Sequence, residues 1–560
     1  MSQRQKVILV LAVLFCTFFQ VLPVVRSGLN YSYGTGFWGP TGHDGIWHLS
    51  LITHISSPFN IPLPSFSGET LKNYHPFFDI LLSVFSRISL IPAHLWLFQI
   101  APILMSLVFS WFSFQIGRLL TKKYWGGLTL LFINTFANSF GWIVTLFKSG
   151  SLAGESLFWS MQSFSNQLNP PFMLSLVFLS ILIWLLLKPK SKFSSSELFI
   201  IFILLTFIPV TKAYAAVPAF ILVSVFSIPL VLKKDFSLLS VALISLLTAS
   251  GIFLIYNPKS AGLFVFQPFW FINSMIDSPD RLFIPKLASA RYNLELRHLF
   301  SFKLIAIYIS TFIIFFIGNF GWRSLFLFGS HSRNKLFHNA LILSIVALVL
   351  IPTFFIQKGT SWNTIQFMYY ALFLANILLI DFLFKIKSKP LFLFLSSLII
   401  STSFISNLAS YREYLSPTSS SYITPQENIC LSRLTLQKPG TVLTYPYDPY
   451  LRQSLSSDHG LPLYAYETTS YVSAYTPHNI YVADTMNLNN SGYDWNTRLD
   501  ASQKFFNQKN IYQDRGFLVN NRIDYIYLVG SQTKIPLNPG SLYLKKLFEN
   551  TDCLIYQVQR

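Results

Sequence analysis

The sequence predicts an α-helical polytopic membrane protein of about eleven spans, with a C-terminal external α/β domain. Three observations carry this. Of 560 residues, 52% are hydrophobic and only 11% charged, whereas soluble domains carry about 25% charged residues. Apolar runs near the length of a span recur from residue 7 to residue 408, separated by short basic clusters. At Ser410 the composition turns abruptly polar.

A span needs about 20 apolar residues. Candidate runs lie at 7–25, 76–92, 95–117, 125–147, 170–187, 197–211, 214–232, 236–256, 303–320, 338–356, 366–384 and 390–408. The basic clusters between them are Arg4/Lys6, Arg118/Lys122/Lys123, Lys188/Lys190/Lys192, Lys233/Lys234, Arg323/Arg333/Lys335 and Lys385/Lys387/Lys389. From the second cluster onward, neighbouring clusters are two runs apart, so all fall on one side, the cytoplasmic one by the positive-inside rule. Parity fails only between the first two clusters. It is restored if 76–92 does not span: the run is short, opens His75-Pro76, and carries Asp79 and Arg87. The N-terminus is then inside and the C-terminus outside. The run 7–25 reads as a retained first span, because no small-residue cleavage site follows it.

Two domains are expected. Residues 1–409 form the transmembrane part, with a first external loop at 27–94. Residues 410–560 form the external α/β domain, with β-type runs at 441–447, 479–483, 525–529 and 554–558 and a helical stretch at 495–508. The Ser/Pro/Thr-rich stretch 416–425 reads as a linker. Of three cysteines, Cys16 lies in an apolar run; Cys430 and Cys553 are free to pair if their region is external, but the spacing does not settle it.

The net charge of +19 is accounted for by the inside clusters, and no nucleic-acid motif accompanies it. P-loop, GxGxxG, HExxH and GxSxG motifs in the required context are lacking. Charges collect in external loops rather than at mid-span, which argues against a secondary transporter.

Chemistry concentrates in Gly42-His43-Asp44-Gly45-Ile46-Trp47-His48, just after the first span. Asp44 is either a solvated loop aspartate or a carboxylate that takes a proton from an acceptor hydroxyl. His43 and His48 flank it, and on a helix His48 would share a face with Asp44. Glu155, the sole acid of the loop 148–169, is either a second carboxylate facing Asp44 across a cavity or a surface glutamate. Lys212 in a tight external turn runs against the charge trend, and fits either a lipid phosphate or snorkelling. Arg281, Arg291, Arg297 and His298 in the loop 257–302 fit either a phosphate, which arginine grips by a fork, or the loop's own Asp277, Asp280 and Glu295. Lys358 is a further external cation.

These features together resemble the GT-C class of membrane glycosyltransferases, which includes protein O-mannosyltransferases and the aminoarabinose transferase of lipid A. The resemblance rests on the early Asp of Gly42-His43-Asp44-Gly45, the His-Pro-Phe-Phe-Asp helix at 75–79, the span ending at 117–123, the tail stretches 523–529 and 547–556, and Ser-Trp-Asn-Thr-Ile-Gln-Phe at 361–367. It implies inverting hexosyl or pentosyl transfer from a polyprenyl-phosphate donor to a glycan, lipid or protein acceptor at the outer face. Asp44 would correspond to the first-loop acid and Glu155 to the second-loop acid. Neither loop holds an Asp-x-Asp or Glu-x-Asp pair. Lys and Arg alone can hold a monophosphate leaving group, so no cofactor is required and a divalent metal is optional. The alternative is a non-catalytic flippase or assembly factor for lipid-linked glycans.

Overall fold

The computed structural model describes all residues except 189–191, 258–263, 298–300, 330–333, 456–459, 508–514 and 560. Lys190, Arg333 and His298 therefore lie outside the described residues. The chain forms two compact units. The first comprises Met1–Leu22, Ile103–Leu254 and Ser260–Arg412; the second comprises Pro23–Pro102, Ile255–Lys259 and Glu413–Arg560. The segment following the first helix thus packs in the same unit as the C-terminal residues.

Among the described residues, nine helices are long and apolar enough to cross a membrane: Gln3–Val21, Ala93–Thr121, Pro170–Leu187, Ala213–Val231, Ser237–Tyr256, Phe302–Phe328, Lys335–Phe354, Ser361–Leu383 and Lys389–Leu415. The pair Tyr124–Phe136 and Gly141–Ser149, bent by 48°, makes a tenth when taken as one broken span, and Ser195–Thr211 is a shorter apolar helix. This is a multi-pass membrane protein. The run 76–92 forms the 13-residue helix Phe77–Ser89, which buries Phe78, Asp79, Leu82 and Ser83 within the second unit and is not among the crossing helices.

Local signals set these helices. Ser2 and Gln5 form a reciprocal capping box at the start of Gln3–Val21, as do Ser194 and Glu197 ahead of Ser195–Thr211. Asn169 caps Pro170–Leu187 by accepting from the Phe172 amide, and the two prolines that follow lack the N–H groups a first turn leaves unpaired. Gly117 lets two helices close together: a Cβ there would lie 2.4 Å from the Gly126 carbonyl oxygen. Small residues permit such backbone approach where lipid gives no hydrophobic drive.

Arg323 departs from the sequence expectation. Counted in the sequence with a solvated basic cluster, it lies in the last part of the apolar helix Phe302–Phe328 with 1% exposure. Its Nε donates to Asn376 Oδ1 (2.7 Å) and its Nη1 to Gln162 Oε1 (2.7 Å). Asn376 in turn donates to Asn134 (3.0 Å), and Asn134 to Ser113 (2.9 Å). A charge here is tolerated because the side-chain amide oxygens of Asn376 and Gln162 accept from it, backed in turn by Asn134 and Ser113.

The second unit is built on a five-stranded sheet. In spatial order its strands are Leu544–Glu549, Cys553–Val558, Ile523–Val529, Thr441–Thr444 and Asn479–Ile480. Thr441–Thr444 runs parallel to both its neighbours; the other pairings are antiparallel. The central strand Ile523–Val529 is covered on both faces and buries every residue but Asp524. The four β-type runs of the sequence all carry strands, the stretch 495–508 carries the helix Asn496–Asn507, and Leu544–Glu549 adds a strand that alternation did not announce. The stretch 416–425 is not a plain linker. Ser421–Ile423 pairs antiparallel with Gly34–Phe37, and Thr424 caps the helix Pro425–Thr435. Cys430 on that helix forms a disulfide with Cys553, with Cα atoms 6.4 Å apart.

Candidate active site

The helix Asp44–His54 places the first cluster, within the second unit. It begins at Asp44, so the carboxylate sits in the first turn, where the unpaired amides and the helix dipole favour an anion. His43 Nδ1 lies 2.9 Å from Asp44 Oδ1, and His43 Nε2 lies 3.4 Å from Asp484 Oδ1. The second distance is an ion-pair contact rather than a well-aligned hydrogen bond. Burial alone would lower the His43 pKa, but the two carboxylates outweigh it and raise it to about 11. The imidazole is therefore a cation held between two anions. Asp484 is fully buried, while half of the Asp44 side chain (56%) is open.

Asp484 occupies the left-handed region at φ +52° and caps the helix Thr485–Asn490 by accepting from the Asn487 amide at 3.2 Å. Aspartate tolerates that conformation better than most residues. The cap fixes the carboxylate that fixes His43.

One turn after Asp44, His48 faces a different acid. Its Nδ1 lies 2.7 Å from Asp79 Oδ1 on the helix Phe77–Ser89, with Asp79 fully buried. The Tyr74 hydroxyl lies 3.4 Å from the same nitrogen. His48 therefore pairs with Asp79 instead of closing a His/Asp/His group around Asp44. Among the described residues, no three His, Cys, Asp or Glu side chains converge as metal ligands.

The first unit holds the other candidates. Glu155 is half-buried. Its carboxylate accepts from the Gln162 amide (2.8 Å) and from Ser165 Oγ (2.7 Å). Burial pushes its pKa up to about 7, and these hydrogen bonds pull the other way. Lys212 is buried at the end of Ser195–Thr211, its Nζ 3.4 Å from Asn169 Oδ1 and 5.6 Å from the Tyr214 ring centroid. Arg281 stacks on Trp159 at 4.0 Å and donates to the Ser156 carbonyl at 3.1 Å, which ties it to the segment bearing Glu155. Arg291 is held by Asp277 and Glu295, each at 2.8 Å. Its charge is neutralised within its own segment. Arg297 and Lys358 are exposed.

Asp484 and Asp79 are the residues that sequence reasoning missed as site members. Asp79 carried a signal, a carboxylate in an otherwise apolar run. Asp484 carried none, since only the tertiary fold brings it to His43.

No family model matches the chain, and no curated sequence matches it. Solved structures do. The mycobacterial arabinofuranosyltransferase AftD superposes with a TM-score of 0.50 at 11% identity, covering 100% of this chain and 42% of AftD. The chain has the GT-C fold. It spans less than half of AftD. The oligosaccharyltransferase of Archaeoglobus fulgidus, in complex with zinc and sulfate, aligns at a TM-score of 0.49 and 12% identity, over 93% of this chain and 67% of that one. The same organism's AglB, in complex with an inhibitory peptide and a dolichol-phosphate, aligns at 0.46 and 11%, over 94% and 69%. In this GT-C chain, Asp44 stands on a helix shortly after the first span.

Proposed function

We propose that the protein is a membrane glycosyltransferase that moves a sugar from a polyprenyl-phosphate donor to an acceptor at the outer face, with the N-terminus cytoplasmic and residues 410–560 extracytoplasmic. The observation that carries the reading is the half-open Asp44 carboxylate, oriented by a buried histidine that a second, buried carboxylate locks in place. A solvated loop aspartate needs no such support. The GT-C fold is compatible with sugar transfer, the chemistry for which AftD is named.

The acceptor hydroxyl attacks the anomeric carbon. Its O–H proton passes to Asp44, and the bond from that carbon to the donor phosphate breaks, leaving the electron pair on polyprenyl phosphate. The sugar carbon inverts. Because His43 engages Asp44 Oδ1, the second oxygen is left for the hydroxyl. A positioned base of this kind contributes about 10²–10⁴-fold.

The donor phosphate is assigned to Lys212 and Arg281, whose charge stabilises the leaving group as fixed dipoles stabilise an oxyanion. Arg297 and Lys358 would act at the periphery. Arg291 is withdrawn from the set, because its acids already satisfy it. Glu155 is a positioning residue for the segment that holds Arg281. Among the described residues the donor groups do not make a metal cage, and no step is routed through a metal.

Transfer from a panel of radiolabelled polyprenyl-phosphate sugars by purified protein, wild type beside Asp44→Asn, tests this. Label should reach acceptor or water only in wild type. Full activity of the variant removes Asp44 from the mechanism. No release from any donor, with lipid still bound, favours a flippase or assembly factor.

A further inference from the structure

A cavity of about 180 Å³ opens in the second unit, at the carboxyl ends of the parallel strands Thr441–Thr444 and Ile523–Val529. Crevices at that end of parallel strands are the usual ligand seats of α/β sheets. Its lining includes Thr444, which closes one strand, and Val529, which closes the other. We infer that this cavity is a binding site for a single neutral sugar unit of a saccharide.

Four features define the ligand. Tyr445, Tyr447, Tyr464 and Trp495 contribute rings to the wall. Aromatic faces are electron-rich and attract the C–H face of a sugar ring, while phenolic and indole groups supply hydrogen bonds at the edges. Size is the second feature, since drug-sized ligands need about 300 Å³ or more, and this space suits one ring. Charge is the third: among the described residues no Lys, Arg or His lines the cavity, so those residues offer a phosphate or nucleotide no counter-charge. The one acid among the described lining residues, Glu467, is paired through Oε1 with Arg452 at 2.9 Å, which leaves Oε2 to accept from sugar hydroxyls.

The fourth feature is rigidity. The Tyr471 and Tyr527 hydroxyls donate to the buried Glu427 at 2.6 and 3.3 Å, and both tyrosines line the cavity. That network fixes the floor. The wall is also continuous with the Asp44 cluster: Ala483 and Thr485 line the cavity, and Asp484 between them faces His43. A sugar seated here would hold an attached saccharide beside Asp44. This acceptor role rests on the glycosyltransferase reading; the saccharide binding does not.

Saturation-transfer NMR on the full chain in a sugar-free amphipol tests it, with methyl pentofuranosides and hexopyranosides as probes and inorganic phosphate as competitor. At least one glycoside should bind saturably and resist phosphate. Trp495→Ala and Tyr447→Ala should each weaken binding tenfold or more, and Tyr447→Phe, which keeps the ring, by less than Tyr447→Ala. Asp44→Asn should bind within twofold of wild type. Absence of saturable binding by every glycoside, displacement by phosphate, or binding by both alanine variants that equals wild type overturns the proposal. Glycoside binding without sugar transfer would leave this site standing and remove the transferase reading, and transfer without glycoside binding would do the reverse.

Discussion

His43 Nε2 lies 3.4 Å from Asp484 Oδ1, so a residue of the C-terminal segment holds the histidine that holds Asp44. Asp484→Asn should lower the His43 pKa from about 11 towards its ordinary 6.5. An NMR titration of the labelled ring reads this directly. The sign for stability follows: the raised pKa contributes stability that is full below pH 6.5 and is lost as pH rises towards 11. The variant should therefore lose stability at neutral pH, and its activity should fall on the order of tenfold. An unmoved His43 titration would show that Asp484 does not bias the ring.

Asp44→Asn should reduce the rate of transfer by about 10²–10⁴-fold with little change in thermal midpoint, because half the side chain is already open. Donor binding measured separately should survive.

Glu155 has a pKa near 7 because burial disfavours its charge. The pH–rate profile of wild type should show an inflection near 7 that Glu155→Gln lacks. If both profiles keep the same inflection, it belongs to another group.

Glu427 is fully buried, and burial raises its pKa to about 7 from 4.5. A carboxyl with a raised folded pKa favours the native state at acid pH, and that contribution is lost between pH 4.5 and 7. Moving from pH 4.5 to 8 should cost wild type on the order of 3 kcal/mol more than Glu427→Gln. Paired melting curves at the two pH values check it.

The Cys430–Cys553 bridge joins the helix Pro425–Thr435 to the strand Cys553–Val558 across 123 residues of sequence. Removing it in the double serine variant should lower stability by about 2–5 kcal/mol. A reductant-dependent gel shift establishes the bond, and protease sensitivity of the second unit reads its loss.

Much of the fold was legible, for a physical reason. Spans announce themselves one by one through local hydropathy, and the failed parity at 76–92 pointed to the helix Phe77–Ser89, which the structure excludes from the crossing set. Asp44 stands out in the sequence as a carboxylate among apolar residues, and the structure shows its neighbour His43 paired with it. Arg323 reads as a solvated cation in the sequence, and only the folded structure shows the side-chain amides of Gln162 and Asn376 holding it buried. Arg291 was readable only as an open choice between phosphate and loop acids, and three-dimensional distance decided it. Asp484 was illegible, because long-range pairing leaves no trace in local pattern.

Arg323 also constrains biogenesis. Arg323 lies towards the C-terminal end of the span Phe302–Phe328, where a buried cation still disfavours insertion, and its partners come from segments made both before and after it. Asn134 and Gln162 precede it in synthesis, while Asn376 follows. The span Phe302–Phe328 should therefore be retained poorly by the bilayer until Ser361–Leu383 emerges from the ribosome. Nascent chains truncated just before residue 361 should be a preferred target of membrane quality control, and Arg323→Leu should relieve them.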